Sequence, residues 1–249
     1  MSRGSGMPTV EGKVLSVLAA VEGDLGNPKK AVEILRKAVR LFEIASNSPL
    51  VNRTLVQIAY ILADADESLE ALRVIDHALT IIHPTDLRLI LLAESIRVNC
   101  LLGLGASREA LIRFHALGEL YDQFSDSFLQ LRRRFISARI LEDLGYFRKA
   151  EKIYSDVIAG DLEHGLVKDF FLDLVYLFGA FLRRGQTGDA LAVCRRAIQD
   201  TSLLQEVEGT SAAACDQMRT LWMKLEKGIE QGTIGLGAVA VMRDYPPVA

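Results

Sequence analysis

Apolar and small positions along this chain recur with the spacing of one helix face, and the whole pattern repeats five times. Ala31, Ala71, Ala110, Ala150 and Ala190 stand 39 or 40 residues apart. Four residues after each lies Leu35, Ile75, Phe114, Tyr154 or Cys194. Seven after lies Ala38, Ala78, Leu117, Val157 or Ala197, and eight after lies Val39, Leu79, Gly118, Ile158 or Ile198. Offsets of 0, 4, 7 and 8 share one side of an α-helix. Five residues before each alanine stands Gly26, Asp66, Gly105, Gly145 or Gly185. Such a residue suits a tight turn that needs positive φ or a side-chain cap. Asn27-Pro28 predicts a helix cap followed by a first-turn proline.

Each repeat therefore predicts a helical hairpin, with small residues letting its two helices approach closely. Ala19, Ala59 and Ala138 stand twelve residues before their partner alanines and mark the first helix, whereas Val98 and Phe178 take that place in copies three and five. Proline supports the helical reading, since only Pro84 falls between Pro49 and Pro246. The hairpins are expected over 13–49, 50–86, 87–125, 126–165 and 166–205. A further amphipathic helix from Ser211 to Gln231, with the single Trp222, would cap the array, and a tail closes residues 206–249. Residues 1–12 are expected to be disordered or tag-like, because they open on MSRGSG and Met7 offers a second start.

The segment Leu144-Gly145-Tyr146-Phe147-Arg148-Lys149-Ala150-Glu151-Lys152-Ile153-Tyr154 resembles the core of a tetratricopeptide repeat: a turn glycine, an aromatic residue, then alanine and a second aromatic at helical spacing. Gly185 to Ala197 repeats it with Thr187 for the first aromatic. The period of about 40, against about 34 in the common repeat, adds roughly one and a half helical turns to each hairpin. In this it is similar to the longer repeats in sensor domains of LuxR-type activators and signalling ATPases. The resemblance covers residues 14 to about 200. It implies an all-α, right-handed α-solenoid of about five antiparallel helical hairpins plus a C-terminal capping helix, with first helices lining a concave wall.

In that family, partner contacts come from defined first-helix positions. Carried over by the repeat register, these are Arg53, Val56 and Tyr60 in copy two, Ser95 and Asn99 in copy three, Arg132, Phe135 and Arg139 in copy four, and Val175 and Arg183 in copy five. The residues expected to hold a partner are Arg53, Tyr60, Asn99, Arg132, Phe135, Arg139 and Arg183. Arginine gives a bidentate grip on carboxylates and aromatic rings give contact area, so the expected partner is a protein or peptide with acidic character. The two-lysine, two-asparagine clamp of chaperone-binding relatives is not reproduced. The apolar first helices around Leu89–Leu92 and Phe170–Leu182 pack between hairpins, or else offer a groove or a self-association surface.

Charge and composition narrow the rest. The net charge of -3 does not mark a nucleic-acid binder. Arg132-Arg133-Arg134 point in three directions about 100° apart and read as a solvated helix surface. Three cysteines, Cys100, Cys194 and Cys215, have no ligand or redox spacing, and Cys100 and Cys194 read as core residues. This fits a reducing, cytoplasmic setting. The longest apolar run, Leu174 to Leu182, is too short to span a bilayer. Val14 to Val21 resembles a signal core but is followed at once by Glu22 and Asp24. Four histidines are scattered without metal-ligand spacing, and GTIGLG at 232–237 follows no strand. Acid pairs such as Glu142-Asp143 lie at helix ends and suggest no perturbed dyad. The expectation is a non-catalytic scaffold, adaptor or chaperone without cofactor or metal. The alternative is a ligand- or partner-sensing regulatory domain.

Overall fold

The computed structural model describes residues 6–24, 26–204 and 212–233. Among these every regular element is an α-helix. They are α1 (Gly6–Asp24), α2 (Pro28–Ile44), α3 (Ser48–Asp64), α4 (Ser68–Ile81), α5 (Leu87–Gly103), α6 (Ser107–Ala116), α7 (Gly118–Tyr121), α8 (Ser127–Asp143), α9 (Phe147–Glu163), α10 (Val167–Arg183), α11 (Thr187–Leu204) and α12 (Ala212–Glu230). Connections of about three residues between most successive helices force antiparallel neighbours. The chain divides into two compact units, one ending at Ser125 with α1–α7 and one beginning at Asp126 with α8–α12.

The repeating turn has one construction. Gly26, Asp66, Gly105, Gly145 and Gly185 all adopt positive φ, between 58° and 85°. The following amide then reaches back to a carbonyl five residues earlier, as in Tyr146 N–H to Leu141 O at 2.8 Å and Glu67 N–H to Leu62 O at 2.9 Å. This is the Schellman closure, which satisfies carbonyls that a helix end would otherwise orphan. Several first helices are opened by acidic or amide caps: Asn47, Asp86 and Asp126 accept from the backbone N–H groups of Leu50, Leu89 and Leu129. Asn27 departs from expectation. Pro28 does open α2, but the Asn27 side chain makes no cap bond and instead donates to Glu22 at 3.1 Å.

Three other differences have physical causes. Helix α1 begins at Gly6, so residues 6–12 are helical rather than disordered; Gly12 sits where a Cβ would meet the Phe42 ring at 2.5 Å, and this close approach ties that part of α1 to α2. Met1–Ser5 lie outside the described residues. The second helix of copy three breaks at Leu117 into α6 and the single turn α7, at the glycine that interrupts its apolar column. That break seats Tyr121 against α5, where its hydroxyl meets Ser95 Oγ at 2.7 Å. The capping helix runs Ala212–Glu230, and Gly232 follows it at positive φ; residues 234–237 of the glycine-rich stretch lie outside the described residues.

In the first unit the core runs through Ala31, Leu35 and Ala38 and through Ala71, Ile75 and Ala78, the repeat columns themselves, with Phe42 one helical turn beyond Ala38. In the second unit α10 is apolar nearly all round and is buried: Phe170, Phe171, Leu174, Val175 and Phe178 lose essentially all exposure. Trp222 of α12 meets Phe178 edge-on with centroids 5.6 Å apart. The apolar character of Phe170–Leu182 is thus explained by packing within the unit. All three cysteines are buried. No helix among the described residues is long and apolar enough to cross a membrane.

Candidate functional site

In the second unit the first helices of successive hairpins, α8 and α10, meet through a ladder of polar and aromatic side chains. Three of its rungs join residues 41 apart. Arg132 Nη2 lies 2.8 Å from Asp173 Oδ2, and Arg183 Nη2 lies 2.6 Å from Glu142 Oε1. Between them the rings of Phe135 and Tyr176 pack edge-on at 5.0 Å. The Arg139 guanidinium stands 4.8 Å over the Tyr176 ring. Such cation–π contacts contribute on the order of 0.5–2 kcal/mol, more as water is excluded.

The lower end of the ladder is a buried charge cluster. Arg132 also donates to both oxygens of Asp161 on α9 at 3.1 Å and lies 3.5 Å from Asp169 on α10. Its guanidinium is 5.1 Å from the Phe135 ring centroid. Asp161 and Asp173 are fully buried and bonded to each other as well as to Arg132. Burial outweighs the attraction of Arg132 and raises both carboxyls above their ordinary range. Burial acts against the charge on Arg132 too, but Asp173, Asp169 and Asp161 together hold it firmly protonated. One cation among three aspartates leaves the cluster with surplus negative charge when all are ionised.

At the other end Glu142 is buried. It accepts from the Tyr154 hydroxyl at 3.0 Å as well as from Arg183. Burial, then the neighbouring Glu142 charge, pushes the Tyr154 hydroxyl well above its usual value. Arg139 remains charged despite its desolvation, with Tyr176, Tyr154, Asp143 and Glu142 favouring the cation.

The seven residues expected to hold a partner fall into distinct environments. Arg132 is not on a solvated surface. The reading of Arg132-Arg133-Arg134 as a solvated helix surface is corrected at Arg132: it is drawn inward by Asp161 and Asp173, whereas Arg133 is half-buried and Arg134 is exposed and paired with Asp156 at 2.8 Å. Phe135 is in the core at 4% exposure, between Tyr154 and Tyr176. Arg139 is half-buried and Arg183 exposed, both on the α8–α10 ladder. In the first unit Arg53 and Tyr60 are exposed on α3, two turns apart on one side. Asn99 is half-buried on α5, one turn beyond Ser95. Val56 and Val175 are buried. Tyr176, Asp161, Asp169 and Asp173 complete the site and were not singled out by the repeat register. The signal for Asp173 is its place at the edge of the longest apolar run; nothing local marks Asp161. The acids that burial raises are Asp161 and Asp173. No group of three or more His, Cys, Asp or Glu side chains among the described residues is placed to hold a metal ion.

No protein-family model matches the chain, and no curated protein matches it. Among solved structures the chain is similar to a Rap protein in a crystal structure complexed with competence and sporulation factor, with a TM-score of 0.71 at 15% identity over 94% of this chain. The chain spans 62% of the length of that protein. The likeness shows the fold, a helical-repeat fold of the tetratricopeptide-like kind.

Proposed function

We propose that this chain is a non-catalytic module that holds a peptide or protein segment against its first helices, with the α8–α10 ladder as the principal contact. The observation that carries the reading is the Arg139–Tyr176 stack. A cation and an aromatic ring are held together, half-buried, beside the exposed Arg183. Arginine and tyrosine in such settings are among the residue types that dominate binding energy, and both give contact area and directed hydrogen bonds. A fold neighbour held in complex with a named factor supports the same reading. The partner's apolar or aromatic side chains would lie against Tyr176, and its carboxylates would meet Arg139 and compete with Glu142 for the exposed Arg183. Arg132 contributes by fixing α8 to α9 and α10, since its charge is already taken up by Asp161 and Asp173. In the first unit Arg53 and Tyr60 offer the same two chemistries.

The test is selection of peptides from a displayed library on the folded chain, followed by titration of the best binder. Arg139→Gln with Tyr176→Ala should weaken it by about 30-fold or more, the effect of losing a contact worth roughly 2 kcal/mol. Arg113→Gln, on α6, should leave binding unchanged. Equal binding by all three proteins, with helicity intact, would refute this site.

A second reading, a ligand- or partner-sensing regulatory domain, draws on the same neighbour and on the 40-residue period. It predicts that a small metabolite raises the melting temperature by preferential binding to the folded state. A metabolite screen without any such shift, beside a peptide that gives one, decides for the first reading.

A further inference from the structure

Helix α1 has two apolar sides. One, through Gly12, Leu15 and Ala19, packs on the first unit's core around Phe42. The other faces solvent: Met7, Val10, Val14, Val17, Leu18 and Val21 are each between 45% and 81% exposed. Five of these, all but Leu18, are spaced by 3, 4, 3 and 4 residues, the a and d positions of a heptad seam. A helix surface that merely faces water has no reason to keep that spacing. A seam of 3.5-residue period is complementary to another helix bearing the same period.

We propose that α1 pairs with α1 of a second copy of this chain through this stripe. Its extent argues for the second copy. The six side chains leave on the order of 600 Å² of contiguous apolar surface, at the top of the range found on monomers. Two copies face to face would cover at most about 1,200 Å², which reaches the lower bound for a specific interface. A self-complementary stripe on one helix is also what a two-fold contact requires, since each residue then meets the same surface on its partner. The flanking Glu11 and Lys13 are exposed and remain solvated at the edge of the seam.

The experiment is sedimentation velocity on the 249-residue chain at micromolar concentration, beside Val14→Glu/Val17→Glu. The expected result is a dimer for the natural sequence and a monomer for the double variant, with unchanged helical circular dichroism because both valines are exposed. A Val14→Cys variant adds an accessible thiol to a chain whose three cysteines are buried, and mild oxidation should give a covalent dimer. A monomeric natural chain would overturn the proposal and point instead to coverage of the stripe by another segment of its own chain. A dimer that survives Val14→Glu/Val17→Glu would overturn it as well, by moving the interface elsewhere.

Discussion

Arg132 and Asp173 lie 41 residues apart in sequence and 2.8 Å apart in space. The same offset joins Glu142 with Arg183. Neighbouring first helices α8 and α10 are thus side by side in a register close to one repeat. A buried guanidinium bridging two buried carboxylates fixes that register, because a slip by one residue would leave charges without partners in a medium that cannot solvate them.

Removing one partner should therefore cost far more than removing all of them. Arg132→Ala leaves Asp161 and Asp173 uncompensated and should destabilise the second unit by about 3–5 kcal/mol. The combined change Arg132→Met, Asp161→Asn and Asp173→Asn should lose much less, since the only charge left in the cluster is that of the half-buried Asp169. Urea unfolding of the two variants beside the natural chain checks the order; equal losses would show that the ion cluster is not what matters.

Asp173 gives the stability a pH dependence of definite sign. Its carboxyl is held above the ordinary range because burial costs the anion more than Arg132 returns. Such a group contributes stability that is complete below the unfolded value of about 3.9 and is lost as pH rises through the folded value. Asp173→Asn keeps the shape of the neutral acid and does not titrate. Its melting temperature, relative to the natural chain, should therefore improve on going from about pH 5 to about pH 8. A gap that is constant with pH, or that moves the other way, contradicts the assignment.

The turn glycines are set by backbone angle alone. Gly145 has φ of 85°, and a Cβ there would meet nothing within 4 Å. Gly145→Ala should cost about 1–2 kcal/mol, the penalty of a left-handed L-residue. Gly188, in α11, also has open space but an ordinary backbone, so Gly188→Ala should be neutral or stabilise by up to about 1 kcal/mol. Thermal melts of the pair should shift in opposite directions or, at least, only the first should fall.

The hairpins were legible in the sequence because their signals are local. Ala150, Tyr154 and Gly145 report one turn and one helix face within ten residues, and the structure places Ala150 and Tyr154 in the core. The site was less legible because its contacts are not local. Arg132 looks like a surface arginine among three, and its partners stand 29 and 41 residues away. Phe135 was read as a contact residue, yet a first helix packs on both its own hairpin partner and the next first helix, so little of its circumference stays open. The exposed seam of α1 was not legible for a different reason: Val14 to Val21 reads as an apolar stretch resembling a signal core, and only the packing shows which side of the helix is left open.

Hydrogen exchange by mass spectrometry, on the chain alone and with a peptide selected on it, tests the binding site most directly. The account predicts slowed exchange in α8 and α10, centred on Arg139 and Tyr176, with α9 and α11 unchanged. Protection confined to α9 and α11, or absent from the second unit altogether, would contradict it.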